Sequence, residues 1–210
     1  MIRVLVVDDH AVVRRGVLQV LAEAPDMIVT GEADSGLAVL QMAQANDYDV
    51  IVLDIALPDA SGLEILKQLR TLRPEQQVLM LSVYPEKQYA IRALRAGAAG
   101  YLTKDSAPDE LTMAIRQVAQ GRKYITRSLA EQLAVGLEEE TESEPHETLS
   151  DREYQVMRLL TAGKSVTDIA GELSVSVKTV STYRARILEK LGLKTTAEII
   201  RYGLERGLVE

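Results

Sequence analysis

The chain contains no cysteine, no tryptophan and no phenylalanine, and it has only two histidines, His10 and His146. Without cysteine there is neither a disulfide nor a thiolate metal site, and two isolated histidines argue against a His-based zinc site. No apolar run approaches the roughly 20 residues needed to span a bilayer. The opening MIRVLVVDDH also lacks a signal peptide's long apolar stretch and small-residue cleavage site. The expectation is a cytoplasmic protein with no membrane partner. What is present is length, with 210 residues of which 47% are hydrophobic, enough for two domains that each bury a core.

Charge divides the chain. Residues 1–123 carry 13 basic and 16 acidic side chains, residues 124–149 carry 1 and 7, and residues 150–210 carry 10 and 8. The acid is concentrated in GLEEETESEPHETLS, Gly136 to Ser150, which reads as a linker. The preceding SLAEQLAVGL has a helical composition, so the segment 122–149 is expected to be partly helical, with flexibility in its second half.

From residue 1 to 121, short β-rich runs alternate with amphipathic stretches. IRVLVV, MIVTGEA, VIVLD, VLMLS and GYLTK read as strands, and helical patterns follow each of them. Five such units predict a parallel sheet with helices on both faces, because parallel strands need crossover helices. In that architecture ligands sit at the carboxyl ends of the strands.

The stretch VLVVDDHAVVRRG places Asp8 and Asp9 together at the end of a strand expected to be buried on both faces. Two adjacent carboxylates repel, and neither is stable near a core without positive charge. Locally, Asp9 could cap the next helix and Asp8 could be solvated. Asp54, Ser82 and Lys104 end the third, fourth and fifth strands. Singly they could be a turn residue, a cap and a surface charge. If the first and third strands are neighbours, as in the flavodoxin-like order, three carboxylates converge beside a hydroxyl and an ammonium. That donor set suits Mg²⁺, which prefers oxygen ligands and is held by one or two carboxylates together with a phosphoryl oxygen.

As a set, VVDDH, VLDIALPDASG, LSVY and GYLTK resemble the receiver domain of two-component response regulators, over residues 1–121. The resemblance implies that Asp54 is the phosphoacceptor and that Asp9 and Asp54 bind Mg²⁺ directly, with Asp8 acting through water and Ala56 through its main-chain carbonyl. Ser82 and Lys104 would hold the phosphoryl oxygens. Ser82 and Tyr101 would form the switch, with Tyr101 swinging inward. From its residue type, Gly62 would let the chain turn tightly beside the site or serve simply as turn punctuation.

Residues 150–210 show no clear strand and four helical patterns. Ser150 and Glu153 form a capping box, and a short helix, a tight turn and a basic helix follow. LSDREYQVMRLL and AGKSVTDIAGELSVSVKTVSTYRARILEKLGL, separated by Thr161, resemble the LuxR-type DNA-binding domain of NarL/FixJ response regulators. The resemblance implies that the helix from about Ser176 to Leu191 enters the major groove. Ser181, Thr182 and Ala185 would face base edges, and Lys178, Thr179, Tyr183, Arg184, Arg186 and Lys190 would contact phosphate or base. Ile169, Ala170, Leu173, Val180, Ile187 and Leu188 would be core. The last helix would supply dimer contacts through Ala197, Ile200, Arg201 and Leu204. Tyr183 and Val166 stand where many members carry histidine and asparagine.

The fold expected is therefore α/β: a flavodoxin-like, doubly wound five-stranded parallel sheet, followed by a small all-α four-helix helix-turn-helix domain at 150–210. The function implied is a transcription factor that is phosphorylated on Asp54 by a sensor histidine kinase, dimerises and binds promoter DNA, with RNA polymerase as a further candidate partner. It would be a switch and not a metabolic enzyme. Two alternatives stay open here. One is a DNA-binding regulator that uses the receiver as a fixed dimerisation module. The other is a Mg²⁺-dependent phosphohydrolase, although Asp54 is followed by Ile55 and Ala56 where such an enzyme typically wants a second aspartate.

Overall fold

A computed structural model describes residues 1–106, 108–138 and 144–208. The chain forms two compact units, Met1–Glu138 and Glu139–Glu210.

In the first unit five strands alternate with helices: β1 (Ile2–Val7), α1 (Ala11–Ala22), β2 (Met27–Ala33), α2 (Gly36–Ala45), β3 (Val50–Leu53), α3 (Gly62–Leu72), β4 (Gln77–Ser82), α4 (Glu86–Arg95), β5 (Gly100–Thr103) and α5 (Pro108–Ala119). All neighbouring strands are parallel, in the order β2-β1-β3-β4-β5. Strand alternation builds a core on each face. Val4 and Val6 join Val50, Val52, Leu79 and Leu81 beneath Val17 and Leu21 of α1 and Ile115 and Val118 of α5. Leu5, Val7, Ile51, Leu53 and Met80 are equally buried and face the other side. The pairing of Val7 with Leu53 sets the ends of β1 and β3 side by side, as the site requires.

This unit runs past residue 121. Beyond β5, Tyr124 forms a parallel bridge to Gly100, donates its N–H to the Ala99 carbonyl (2.8 Å) and its phenol O–H to Glu110 Oε1 (3.0 Å). Helix α6 (Arg127–Glu138) is anchored at its start by Thr126. The Thr126 hydroxyl donates to the Glu86 carboxylate (2.7 Å) and accepts from Leu129 N–H (3.1 Å), and Leu129 is fully buried. Residues 122–138, expected in the linker, thus belong to the first unit. Composition hid this because Tyr124 finds its place only at the open edge of β5.

The second unit comprises a short 3-10 helix (Pro145–Thr148), α7 (Asp151–Thr161), α8 (Val166–Glu172), α9 (Val177–Leu191) and α10 (Thr196–Glu205). Residues 144–149 of the expected linker, where flexibility was expected, are docked on the second unit. Arg206 donates to Glu144 (2.8 Å), and His146 Nδ1 lies 3.1 Å from the Tyr202 hydroxyl on α10. Residues 139–143, with Glu139, Glu140 and Glu142 of the acidic run, lie outside the described residues. The Ser150–Glu153 capping box forms as expected, Ser176 caps α9, and Gly192 closes α9 at φ 66°. Ile169, Ala170, Leu173, Val180 and Ile187 are buried, whereas Leu188 is half-buried. A Cβ at Gly203 would lie 2.3 Å from Thr161 Oγ1, so glycine is what permits the close approach of α10 to α7.

Candidate functional site

Asp8, Asp54, Ser82 and Lys104 converge at the carboxyl end of the sheet because each closes or immediately follows a neighbouring strand. Main-chain bonds fix the ends: Asp54 N–H donates to Val7 O (3.0 Å), Asp8 N–H to Ala33 O (3.1 Å) and Lys104 N–H to Ser82 O (2.8 Å). Asp54 and Asp8 are 1% and 2% exposed, yet both are carboxylates. The Lys104 ammonium bridges them, 2.6 Å from Asp8 Oδ2 and 2.7 Å from Asp54 Oδ2. Asp54 Oδ1 is buried and has no hydrogen-bond partner.

Burial pushes the Asp54 carboxyl above the usual carboxylate range; Lys104 opposes this and Asp8 adds to it. For Lys104 burial acts downward, but Asp54 and Asp8 outweigh it and hold the ammonium above its ordinary value. One ammonium among Asp8, Asp9 and Asp54 leaves two negative charges uncompensated. Ligand atoms of Asp8, Asp9, His10 and Asp54 lie within 4.8 Å of one another. Oxygen donors dominate this set and one buried oxygen lacks a partner, which fits a hard divalent cation.

The capping role open to Asp9 is not observed. His10 occupies the N-cap of α1 without a side-chain cap bond, and Asp8 Oδ1 accepts its N–H (2.8 Å). Asp9 is instead paired with the His10 imidazole at 2.7 Å. Ala56 follows Asp54 in the next loop, and its nearby backbone amide acts, weakly, to lower the Asp54 carboxyl against burial.

Ser82 is fully buried, and its Oγ accepts from Tyr84 N–H (3.3 Å). Tyr101 is already fully buried, with its O–H donated to the Tyr84 carbonyl (2.7 Å), while Tyr84 stacks on Tyr89 with ring centroids 4.7 Å apart. The expected swing of Tyr101 therefore has no outward starting point in this conformation.

Two interactions escaped the sequence reading, the cap by Asp59 and the pairing of Glu153 with Lys190. Asp59 accepts from Gly36 N–H (2.7 Å) and Leu37 N–H (2.8 Å) at the start of α2, a cap supplied from a distant loop. Glu153 accepts from Ser150 N–H (2.8 Å) and from Lys190 (2.6 Å). The capping box signalled the first Glu153 bond, but no local pattern could reveal the second.

In the second unit, Lys178, Thr182, Ala185 and Arg186 are exposed on α9, whereas Thr179, Ser181 and Tyr183 are half-exposed. Thr179 is engaged in the cap with Ser176 (2.8 Å), and the Thr182 hydroxyl turns back to the Lys178 carbonyl (3.0 Å). Two candidate contacts point elsewhere. Arg184 leans on α10, with Nη1 3.3 Å from Thr196 Oγ1 and its Nε buried. Lys190 is held by Glu153 and by the Thr148 carbonyl (3.4 Å). On α10, Ala197, Arg201 and Leu204 are exposed and Ile200 is half-buried, along one stripe.

The Glu153–Lys190 pair makes a pH prediction. Burial acts to raise the Glu153 carboxyl, but Lys190 and the Ser150 amide outweigh it and hold the group below its ordinary 4.5. A carboxyl more acidic when folded contributes stability above its unfolded pKa and loses it as pH falls through the folded value. The second unit is therefore expected to loosen in acid. Glu153→Gln, which can keep the cap bonds but not the charge, should flatten that dependence in tyrosine-monitored unfolding between about pH 6 and pH 3.

Residues 4–116 match the response regulator receiver domain, and residues 147–203 match the bacterial regulatory proteins of the luxR family. The chain is a two-component response regulator. Like other NarL/FixJ-type regulators, it joins a receiver to a LuxR-type DNA-binding domain and is a regulator of transcription. It is 37% identical over 209 residues to the response regulator UvrY of Escherichia coli O6:H1, covering 99% of this chain and 96% of UvrY. To the response regulator GacA of Pseudomonas viridiflava it is 38% identical over 211 residues, covering 100% and 99%. A solved structure of RcsB from Salmonella enterica serovar Typhimurium, bound to promoter rprA in the presence of phosphomimetic BeF3⁻, aligns with a TM-score of 0.65 at 25% identity, covering 96% of this chain and 97% of that one. Among the described residues, no helix of this response regulator is long and apolar enough to cross a membrane.

Proposed function

We propose that Asp54 accepts a phosphoryl group from a sensor histidine kinase with the help of Mg²⁺, and that the altered receiver drives dimerisation and binding to promoter DNA. The observation that carries this reading is the buried, unpartnered Asp54 Oδ1 beside Asp8 and Asp9, with Lys104 on the other oxygen. Asp8, Asp9, Asp54 and the Ala56 carbonyl would hold the ion. When bound, Mg²⁺ supplies positive charge to the transferring phosphoryl oxygens.

The residues divide the remaining work. A carboxylate oxygen of Asp54 attacks phosphorus in line, the donor's P–N bond breaks, and its electron pair leaves with the kinase imidazole. Approach of two anions is unfavourable, so Lys104, already between Asp54 and Asp8, offsets charge as it develops. The Ser82 hydroxyl sits at the adjacent strand end, where it can donate to a phosphoryl oxygen. Its release of Tyr84 N–H would pass the change to Tyr101 and α4. The protein is then a cytoplasmic switch that turns over no metabolite.

The test is phosphate incorporation from a small phosphodonor with Mg²⁺. Wild type should take up one alkali- and hydroxylamine-labile phosphate per chain and Asp54→Asn none. Uptake by Asp54→Asn equal to wild type would refute the assignment. A second reading, a receiver acting as a fixed dimerisation module, is favoured by Tyr101 being buried without a phosphoryl group. It requires equal DNA affinity with and without phosphodonor.

The outward groups of α9 make a further prediction. Lys178→Ala should weaken DNA binding across sequences and reduce the slope of log affinity against log salt by about one. Lys190→Ala should leave that slope unchanged and lower the melting temperature, because its ammonium is committed to Glu153.

A further inference from the structure

The loop between β3 and α3, Ile55–Ser61, carries the Ala56 main chain past the phosphoacceptor. Its base is fixed by an antiparallel bridge between Ala56 and Ser61 and by Gly62 N–H donating to Ile55 O (2.8 Å). Ile55 and Leu57 turn into the core. The outer limb reaches across to the next helix, where Asp59 places one carboxylate oxygen on each of the first two amides of α2, at 2.7 and 2.8 Å.

Helix α2 needs this cap because Ser35, its own N-cap residue, makes no side-chain cap bond. A carboxylate on free amides at the positive end of a helix is among the stronger hydrogen-bonded arrangements. The approach is close: a Cβ on Gly36 would lie 3.3 Å from Asp59 Oδ1 and 2.5 Å from Ile65 Cδ1. The tether also closes a ring. Asp8 N–H is bonded to Ala33 O at the end of β2, three residues before Gly36, while Asp59 lies five residues after Asp54. Asp8 and Asp54 are thus linked once through the β1–β3 pairing and a second time through β2, α2 and Asp59.

We propose that Asp59 is a positioning residue for cation binding: by tying the β3–α3 loop to α2, it holds the Ala56 main chain and Asp54 in register with Asp8 and Asp9. The proposal rests on the phosphoacceptor reading above. Asp59 itself touches neither the ion nor the phosphoryl group. Its effect is on how often the loop presents the complete set of oxygens.

Calorimetric titration of the full chain with Mg²⁺ separates this role from simple helix capping. Three proteins are compared: wild type, Asp59→Asn, and Asp59→Asn combined with Ser35→Asp, which gives α2 a local cap without touching the loop. Asp59→Asn should lower the melting temperature and weaken Mg²⁺ binding by about fivefold to tenfold, the scale of one lost helix cap. The double variant should regain the melting temperature while its Mg²⁺ affinity stays weak. At saturating Mg²⁺ its phosphate uptake should return to the wild-type rate. Wild-type Mg²⁺ affinity in Asp59→Asn, or recovery of both properties in the double variant, would overturn the proposal. Mg²⁺ binding that Asp54→Ala leaves at the wild-type affinity would refute the phosphoacceptor reading, and this proposal with it.

Discussion

Gly62→Ala is expected to destabilise the receiver by more than about 4 kcal/mol and to abolish phosphate uptake at Asp54. A Cβ at this position would lie 1.9 Å from the Asp54 carbonyl oxygen and 2.8 Å from both Asp54 C and Ile55 Cα. All three are main-chain atoms, so no side chain can rotate away. The carbonyl cannot yield cheaply either, because it belongs to the end of a central strand hydrogen-bonded to β1. Relief therefore requires moving α3 outward, which breaks the Gly62–Ile55 bond and draws Leu63 and Leu66 from the core, or moving Asp54 itself. Urea unfolding and phosphate incorporation measure the two consequences. A melting temperature within about 2 °C of wild type, with normal uptake, would show that the turn relaxes freely.

Lys104→Met should be nearly as damaging, for an electrostatic reason. The side chain keeps its length but loses the ammonium that lies 2.6–2.7 Å from two almost fully buried carboxylates. Removing one partner of a buried ionic group leaves uncompensated charge, at a cost of about 3–5 kcal/mol. Asp8 and Asp54 would then repel each other with nothing between them. In chelator-treated protein the loss of stability should be largest, and Mg²⁺ should restore part of it, because the cation supplies positive charge to the same oxygens. Phosphate uptake should remain low even at saturating Mg²⁺, since Lys104 acts from the side of Asp54 Oδ2. Stability unchanged in chelator would mean that the carboxylates are compensated from elsewhere.

Much of this site was legible because it depends on strand ends. Apolar runs define where β1, β3, β4 and β5 stop, and the polar residue at each stop is visible as a break in pattern. The strand order confirmed the single assumption needed, the adjacency of β1 and β3. The helix caps at Ser150 and Ser176 were equally legible, since they join residues three apart.

Other features depended on partners distant in the chain. Composition marked residues 122–138 as linker, but Tyr124 and Thr126 dock on Gly100 and Glu86. Helix α9 showed nine candidate DNA contacts as a run of types, and packing divided them. Helical geometry turned Arg184 toward α10, and Glu153 claimed Lys190. Asp59 carried no local signal of its role and is a cap for α2, a helix in another strand's crossover.

Sequence by itself determined the alternation of strands and helices, the two-domain division and the identity of the polar groups at the strand ends. These follow from the period of hydrophobicity and from caps that act within one turn. Tertiary structure alone decided which oxygen of Asp54 is left without a partner, which basic residues of α9 face outward, and where the receiver ends. Each of these depends on burial and on contacts between residues far apart in the chain, quantities that exist only once the elements have packed.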